Sequence, residues 1–199
     1  IIFCLNEAKI DFHQLDKIAI NSNPFNSFGR KILFIFKNLS SFQLALQSFK
    51  NTKKKININK YFADLFNYKD NKIKIDYIDH HEAHIASSFY YSKFDETVNL
   101  SLDGFGDFVS CAWGYVNKDN NKLIDKRIYF PHSLGIFYQA VTQFLGFKNY
   151  GDEYKVMGLS SYGEPKYVKE ISNLIYTTKD GFELNLDYFV HHKDKILTS

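Results

Sequence analysis

Hydrophobic residues recur at two different spacings along the chain, and the change of spacing predicts alternating helices and strands. The runs IIFCLNEA and SLGIFYQAVTQFLGF place apolar residues three and four positions apart, which is typical of amphipathic helices. Shorter runs, rich in β-branched and apolar residues and bounded by Gly, Asn or Asp, are typical of strands. Five such runs are KIAIN, IKIDYID, TVNLSLD, DFVSCAWGYV and KLIDKRIYF. The pattern therefore predicts an α/β chain.

Local signals place several element boundaries. We expect a helix over His80 to Tyr91, a helix capped by Ser133, and a hairpin meander in the last three strands. Residues 146–165 are rich in glycine and predict a loop, followed by a helix in EPKYVKEISNLIY and then a strand and a new element in DYFVHHKDKILTS. Helical or irregular structure is expected from Ser40 to Phe66, where the Asn- and Lys-rich stretch 50–60 is interpreted as an exposed connector.

Composition restricts the class of protein. The chain has 199 residues, 45% of them hydrophobic and 18% aromatic, so it can bury a core and is not a disordered chain. The net charge is only +3, and the dense basic run Lys53–Lys55 is interpreted as a solvated loop, so we do not expect a nucleic-acid partner. No apolar run approaches the roughly 18 residues that span a bilayer, so we expect a soluble protein without a membrane partner.

The cysteines and the chain ends suggest a cellular compartment and a wider context. Cys4 and Cys111 lie far apart, without a CxxC pair or a signal-peptide pattern, which favours a reducing, cytoplasmic compartment. The first residue is Ile1, and the opening helix has no residues ahead of it to form a cap. We interpret the chain as an internal piece of a longer protein.

Three of the seven histidines lie within five residues, in the run DHHEAH. On a helix, His80 and His84 are one turn apart and share a face, whereas His81 points elsewhere. Asp103 ends a predicted strand and could add an oxygen ligand if that strand ends beside the helix N-terminus. Two imidazoles and a carboxylate with open positions suit Fe(II), Mn(II) or Zn(II) better than Ca(II) or a closed structural zinc. The alternative is that both histidines cap the helix and form local hydrogen bonds.

Two glycine-containing segments could approach a phosphate. In DGFGD the glycines could form a tight turn whose amides face a ligand, although an ordinary hairpin turn has the same sequence. In NYGDEYKVMGLSSYG, Lys155 could hold a phosphate and Asp152 or Glu153 could accept from ribose hydroxyls. The alternative is a helix cap with a solvated lysine, and the spacing is not that of a P-loop. The candidate nucleotide-binding residues are Gly104, Gly106, Gly151, Glu153, Lys155 and Gly158.

The order and spacing of four segments resemble the NodU/CmcH carbamoyltransferase family. These segments are DHHEAHIASSFYYSKF, LSLDGFGD, YFPHSLGIFYQAVTQFLGF and GDEYKVMGLSSYGEP. They cover most of Tyr77 to Tyr167 closely, and the likeness extends weakly over the N-terminal part. Compared with the family pattern GEYKVMGLAPYG, this chain has Asp152 at the first acidic position and Ser160-Ser161 in place of Ala-Pro.

The resemblance implies a fold and a domain organisation. The implied fold is the actin-like ATPase or ribonuclease H-like fold, present here as an incomplete duplicated domain. Residues 1–199 would be part of the N-terminal carbamoyltransferase domain, and a C-terminal YrdC-like domain would lie outside the chain but in cis. A homodimer is an open alternative.

The resemblance also implies a site and an activity. His80 and His84 fall on the family's metal-binding HxxxH and Asp103 on the aspartate that joins them, with iron(II) as the expected metal. A further aspartate ligand is expected beyond Ser199, and a histidine-containing segment before Ile1.

The implied reaction is O-carbamoyl transfer. In the family, carbamoyl phosphate and ATP give carbamoyladenylate at the YrdC-like domain, and the actin-like domain passes the carbamoyl group to a hydroxyl of a sugar or natural-product acceptor. His132 is either a contributor to this pocket or a helix-entry residue. Open alternatives are threonylcarbamoyl transfer to tRNA and a non-catalytic module that binds metal and nucleotide. The chain alone is expected to be inactive.

Overall fold

The computed structural model describes residues 1–38, 57–68, 73–119, 122–194 and 197. The Lys53–Lys55 run lies outside these residues, as do the predicted helical or irregular stretch before residue 57 and most of the predicted connector at 50–60.

The described chain is a mixed α/β structure, as the hydrophobic spacing predicts. Its helices are α1 (Ile2–Ala8), α2 (Phe28–Lys37), α3 (Ile58–Phe66), α4 (His80–Phe89), α5 (Leu134–Phe144), α6 (Glu153–Ser160) and α7 (Val168–Ile171), with a short 3-10 turn at Phe12–Gln14. Its strands are β1 (Lys17–Ile20), β2 (Lys74–Tyr77), β3 (Glu96–Gly106), β4 (Val109–Asn117), β5 (Lys126–Tyr129), β6 (Ile175–Thr178) and β7 (Gly181–Leu184).

The described strands pair in three sheets. β1 and β2 are parallel, with Lys17 opposite Lys74. β3, β4 and β5 form an antiparallel meander in that order, which confirms the predicted hairpin meander. β6 and β7 form a separate antiparallel hairpin.

The main core lies between α4 and the meander. Ile85 and Phe89 are four residues apart on α4, so they share one face, and they pack against buried residues of β4 that include Val109 and Val116. Burying this face stabilises the docked helix, since each fully buried aliphatic or aromatic side chain contributes about 1.5–3 kcal/mol. The opposite face of α4 stays free to carry His80 and His84.

The start of α5 is fixed against β3. Ser133 caps the helix as predicted, because its hydroxyl accepts a hydrogen bond from the backbone N–H of Ile136 at 3.2 Å. Gly135 permits a close approach, since an added Cβ would lie 2.7 Å from the backbone nitrogen of Gly104. Further along α5, Ala140 joins a second core cluster with Leu184 and Phe189.

Three predictions for the last third of the chain are wrong. Part of the glycine-rich segment predicted as a loop is helix α6, whose residues EYKVMGLS include strong helix formers. The predicted helix in EPKYVKEISNLIY shortens to the four residues of α7, and its end becomes β6, where Ile, Tyr and Thr favour a strand. In the described part of DYFVHHKDKILTS the backbone forms turns and no extended strand.

Within the described ranges, no helix combines the length and apolar character needed to cross a membrane.

Candidate metal centre

The structure brings His80, His84 and Asp103 together. The Nε2 atom of His80 lies 2.6 Å from Oδ2 of Asp103, and Nε2 of His84 lies 3.7 Å from the same oxygen. The two Nε2 atoms are 3.0 Å apart, and all three ligand atoms lie within 4.8 Å of one another. The helical spacing of the histidines brings them together as the sequence predicts. Asp103 reaches them from within β3, which continues to Gly106, and not from the end of the strand.

A backbone carbonyl orients the ring of His80. Its Nδ1 atom lies 3.2 Å from the carbonyl oxygen of Asn21, so this nitrogen donates and carries the hydrogen. The Nε2 lone pair is then directed at His84 and Asp103. Metal-binding histidines commonly use their second nitrogen in this way, which fixes both the tautomer and the ring orientation.

The donor set fits a divalent cation. With Nδ1 of His80 donating to Asn21, the His80 and His84 imidazoles and the Asp103 carboxylate can all direct electron pairs at one small region, where a cation would stabilise them. The backbone N–H of Gly104 donates to the Asp103 carboxylate and favours its charged form, which is the form that a metal binds. Two nitrogens and one oxygen leave coordination positions open for substrate or further ligands.

Hydrogen bonds from Gly104 and from the N-cap of α5 position Asp103. Its Oδ1 atom accepts from the backbone N–H of Gly104 at 2.6 Å. The Ser133 hydroxyl lies 3.1 Å from the carbonyl oxygen of Asp103 and 2.7 Å from that of Gly104, and it can donate to either. The carboxylate is thus positioned by hydrogen bonds within β3 and to the N-cap of α5.

Gly106 leaves room for the imidazole of His80. A Cβ atom built at this position would lie 1.9 Å from Cδ2 of His80, far inside contact distance. The sequence predicts that Gly106 lets a phosphate approach, whereas in the structure the His80 ring occupies the space above it. By contrast, a Cβ at Gly104 would meet no atom within 4 Å.

The predicted tight turn at Gly104 and Gly106 is wrong, whereas the alternative, an ordinary hairpin turn between two strands, is confirmed directly after Gly106. β3 continues through Gly106, and the two turn residues are Asp107, with φ 53°, and Phe108, with φ 75°. Two-residue hairpin loops favour positive φ at both central positions because that twist matches the twist of the strands. The DGFGD pattern misled because glycine is the usual residue at such positions, and here Asp and Phe occupy them.

Two acidic residues that sequence reasoning missed support the site. Asp79 is the N-cap of α4, and its carboxylate accepts from the backbone N–H groups of His81 and Glu82 at 2.9 and 3.0 Å. An Asp directly before a predicted helix is the signal that could have found it. Asp107 contacts the backbone N–H of His80, 27 residues earlier, and such a distant pair has no local signature.

His81 points away from the cluster, as predicted. It is fully buried, with Nδ1 2.7 Å from the hydroxyl of Ser101 and Nε2 3.0 Å from the carbonyl oxygen of Val109. Burial lowers the pKa of this imidazole, so it is neutral and ties α4 to β3 and β4.

The candidate phosphate-binding residues of the second segment lie together at the start of α6. Gly151 has φ 90° in the turn before the helix, and Glu153, Lys155 and Gly158 lie within α6 itself. The Lys155 ammonium pairs with Asp152 at 2.7 Å. Across the described ranges, no hydrogen bond or ion pair joins this segment to the three clustered side chains.

His132 makes a structural contact. Its Nδ1 atom accepts from the backbone N–H of Leu184 at 3.1 Å, which ties β7 to the residues before α5. Burial lowers the pKa of this imidazole, in keeping with a neutral acceptor.

Comparison with known proteins gives a match over the entire chain. Residues 1–199 match a family model described as "Carbamoyltransferase N-terminus". An uncharacterized protein of Synechocystis sp. is 37% identical over 197 residues, which cover 94% of this chain and 32% of that protein.

Two nodulation proteins are also similar. Nodulation protein NolO of Bradyrhizobium diazoefficiens is 37% identical over 114 residues, covering 55% of this chain and 20% of NolO. Nodulation protein NolNO of Sinorhizobium fredii is 28% identical over 191 residues, covering 93% of this chain and 26% of NolNO. The chain thus spans about a third or less of the length of these curated relatives.

Proposed function

Because the chain belongs to the family of carbamoyltransferase N-terminal domains, we propose that it is the acceptor-carbamoylating part of an O-carbamoyltransferase. The reaction moves a carbamoyl group from carbamoyl phosphate, by way of carbamoyladenylate made with ATP, to a hydroxyl of a sugar or natural-product acceptor. The convergence of His80, His84 and Asp103 within a domain of this family carries the proposal.

The fold that we propose is actin-like and ribonuclease H-like. An antiparallel meander, β3 to β5, is followed in the chain by helix α5, which packs back on β3, and this arrangement supports the assignment. In this proposal residues 1–199 are part of the N-terminal domain, and a YrdC-like domain of the full-length protein makes the carbamoyladenylate. The reaction would take place in the cytoplasm.

We propose that His80, His84 and Asp103 hold a divalent cation, with Fe(II) as the first candidate and Mn(II) and Zn(II) as alternatives. When bound, such an ion supplies a Lewis acid that polarises a carbonyl or phosphoryl oxygen of the substrate. The chain itself contributes preorganisation: the Asn21 carbonyl fixes the His80 ring, and the Ser133 hydroxyl fixes the backbone that carries Asp103. Fixed ligands need little reorganisation when substrate binds.

Nucleotide binding is the second part of the proposal. The residues that we assign to it are Gly104, Gly106, Gly151, Glu153, Lys155 and Gly158. Open space around Gly104, Gly151 and Gly158 supports backbone contact with a ligand. Lys155 already forms a charge-assisted contact with Asp152, and a phosphate could take the place of that carboxylate. For Gly106 the support is weaker, because the His80 ring occupies the space above it.

A transfer assay tests the function. The full-length protein is incubated with Fe(II), ATP, carbamoyl phosphate and a panel of sugar and natural-product alcohols, and mass spectrometry detects the carbamoylated product. We expect acceptor-dependent AMP release, and we expect His84→Ala to lower the rate by more than about 100-fold, since even loss of a residue that only orients a ligand costs about 10- to 100-fold. Lys155→Ala is expected to weaken ATP binding, which raises the KM for ATP.

The matched control is His13→Ala, which removes an exposed histidine from the Phe12–Gln14 turn and should leave the rate unchanged. Equal rates for wild type and His84→Ala contradict the proposed site. Threonylcarbamoylation of tRNA in place of alcohol carbamoylation would establish the first alternative function. Metal and ATP binding without any transfer would establish the non-catalytic module.

A further inference from the structure

Asp107 joins three separate parts of the chain next to the metal centre. Its Oδ1 atom accepts from the hydroxyl of Ser22 at 2.6 Å. Its Oδ2 atom accepts from the backbone N–H of Asn23 at 2.7 Å and from that of His80 at 3.1 Å. One carboxylate therefore connects the loop after β1, the first residue of α4 and the turn between β3 and β4.

These contacts act on the His80 ring from two directions. The hydrogen bond to the His80 N–H fixes where the backbone of this residue begins the helix. The bonds to Ser22 and Asn23 fix the loop that also contains Asn21, whose carbonyl oxygen accepts from Nδ1 of the same imidazole at 3.2 Å. Loss of the carboxylate would therefore release both the backbone of His80 and the group that orients its ring.

The backbone of the turn that carries Asp107 has an uncommon conformation. Asp107 and Phe108 both have positive φ, which is uncommon for residues other than glycine and most tolerated for Asn and Asp. The Phe108 ring packs against Phe34 and Phe130, with centroids 6.0 and 5.3 Å away, and these contacts hold the turn in place. The carboxylate is thus presented to its three donors by a constrained turn.

We propose that Asp107 is a positioning residue of the metal centre, which sets the His80 imidazole for metal binding without being a ligand itself. This inference rests on the proposed function, because it presumes that the His80, His84 and Asp103 cluster binds a divalent ion. Asp107 lies outside that cluster of mutually close ligand atoms, and both of its oxygens already accept hydrogen bonds.

The chain offers two sharp variants. Asp107→Gly removes the carboxylate and tolerates φ 53° without strain. Asp107→Asn removes the charge, but its oxygen can still accept from Asn23 and His80, and its amide group can donate to the Ser22 hydroxyl. Positioning by hydrogen bonds therefore predicts that Asn restores most of what Gly loses. Asn67→Gly is a matched control, because Asn67 also has positive φ, 49°, at the end of α3.

The experiment titrates full-length protein with Co(II), whose visible absorption reports ligand number and geometry, and measures the affinity by calorimetry. We expect Asp107→Gly to bind Co(II) about 10- to 100-fold more weakly, with an altered spectrum, as is typical when a residue that orients a ligand is lost. We expect Asp107→Asn to recover most of the affinity and the wild-type spectrum, and Asn67→Gly to match wild type. Circular dichroism checks that each variant is folded.

The outcomes separate the two claims. Absence of Co(II) binding by the wild type overturns the proposed metal centre and this inference with it. Binding by the wild type with unchanged affinity and spectrum in Asp107→Gly overturns the positioning role alone. Equal losses in Asp107→Gly and Asp107→Asn also overturn it, because they indicate that the charge matters and not the hydrogen bonds. If Asp107→Gly is unfolded, Asp107→Asn and Ser22→Ala are compared with wild type instead. The positioning role is overturned if Asp107→Asn does not bind Co(II). It is also overturned if Ser22→Ala binds Co(II) with the affinity of wild type.

Discussion

At the residue scale, the candidate metal centre depends on a glycine, Gly106, as much as on its ligands. The His80 ring lies directly over Gly106, where a Cβ would approach Cδ2 of the ring to 1.9 Å. The nearest atom belongs to a ring that the Asn21 carbonyl orients, so the imidazole cannot move aside without losing this contact. We therefore expect a side chain at Gly106 to disturb the proposed metal centre.

We predict that Gly106→Ala weakens divalent metal binding by more than about 10-fold, because the methyl group displaces the His80 ring from its orienting contact. Gly29→Ala is the control for metal affinity, since its methyl group would also enter open space, in helix α2. Calorimetric titration of both variants with Co(II) measures the difference. Equal Co(II) affinities in the two alanine variants would contradict the prediction, because they would show that the His80 ring can move to accommodate the methyl group.

Some of the site could be predicted from the sequence at this scale. The helical period pairs His80 and His84. Local pattern also identified Asp103 as strand-borne, but it placed this residue at the strand end, whereas β3 continues to Gly106. The carbonyl of Asn21 and the carboxylate of Asp107 could not be found in this way. Their contacts join residues 59 and 27 positions apart, and a backbone carbonyl has no sequence signature.

At the element scale, prediction succeeds where a helix or strand has one apolar face. α4, α5 and the meander strands were placed within a few residues because each buries such a face. α6 failed because glycine and polar residues conceal its helical character, and none of its residues is buried. A helix with so little buried surface has a weak hydrophobic pattern, so composition misled.

Two histidines, His191 buried and His132 partly buried, connect the elements that follow the meander. His132 lies between β5 and α5, and His191 follows β7 and donates from Nε2 to the Pro131 carbonyl oxygen at 2.8 Å. The His191 ring also packs against Phe105 and Phe130, with centroids 6.1 and 5.7 Å away. Burial lowers the pKa of both imidazoles, so each is neutral in the folded protein.

We predict that the protein loses stability as the pH falls below about 6.5, the ordinary pKa of histidine. A folded-state pKa below the unfolded value means that the unfolded chain binds more protons in this pH range, so acid favours unfolding. Above the unfolded pKa both states are neutral at these histidines, and their full contribution to the free energy of unfolding is present. Urea unfolding between pH 7.5 and 5 measures the free energy of unfolding. His191→Phe should reduce the pH dependence, whereas His13→Phe, at an exposed histidine, should not. Identical pH profiles for wild type and His191→Phe would contradict this role of burial.

At the scale of the whole molecule, the candidate centre lies where distant parts of the chain meet. The loop after β1, the start of α4, the β3–β4 hairpin and the start of α5 each contribute at least one contact to it. The α/β class was predictable from periodicity, and the family from the order and spacing of its motifs, which the match over residues 1–199 confirms. The division of the described strands into three sheets was not predictable, because pairing depends on contacts far apart in sequence.

The metal content of the purified protein tests the central claim most directly. Full-length wild type, the His80→Ala/His84→Ala double variant and His13→Ala are prepared without oxygen, and inductively coupled plasma mass spectrometry gives the metal per chain. We predict about one divalent ion, Fe(II) first, in wild type and His13→Ala, and almost none in the double variant, because a single carboxylate cannot retain the ion. Equal occupancy in wild type and a folded double variant would contradict the account.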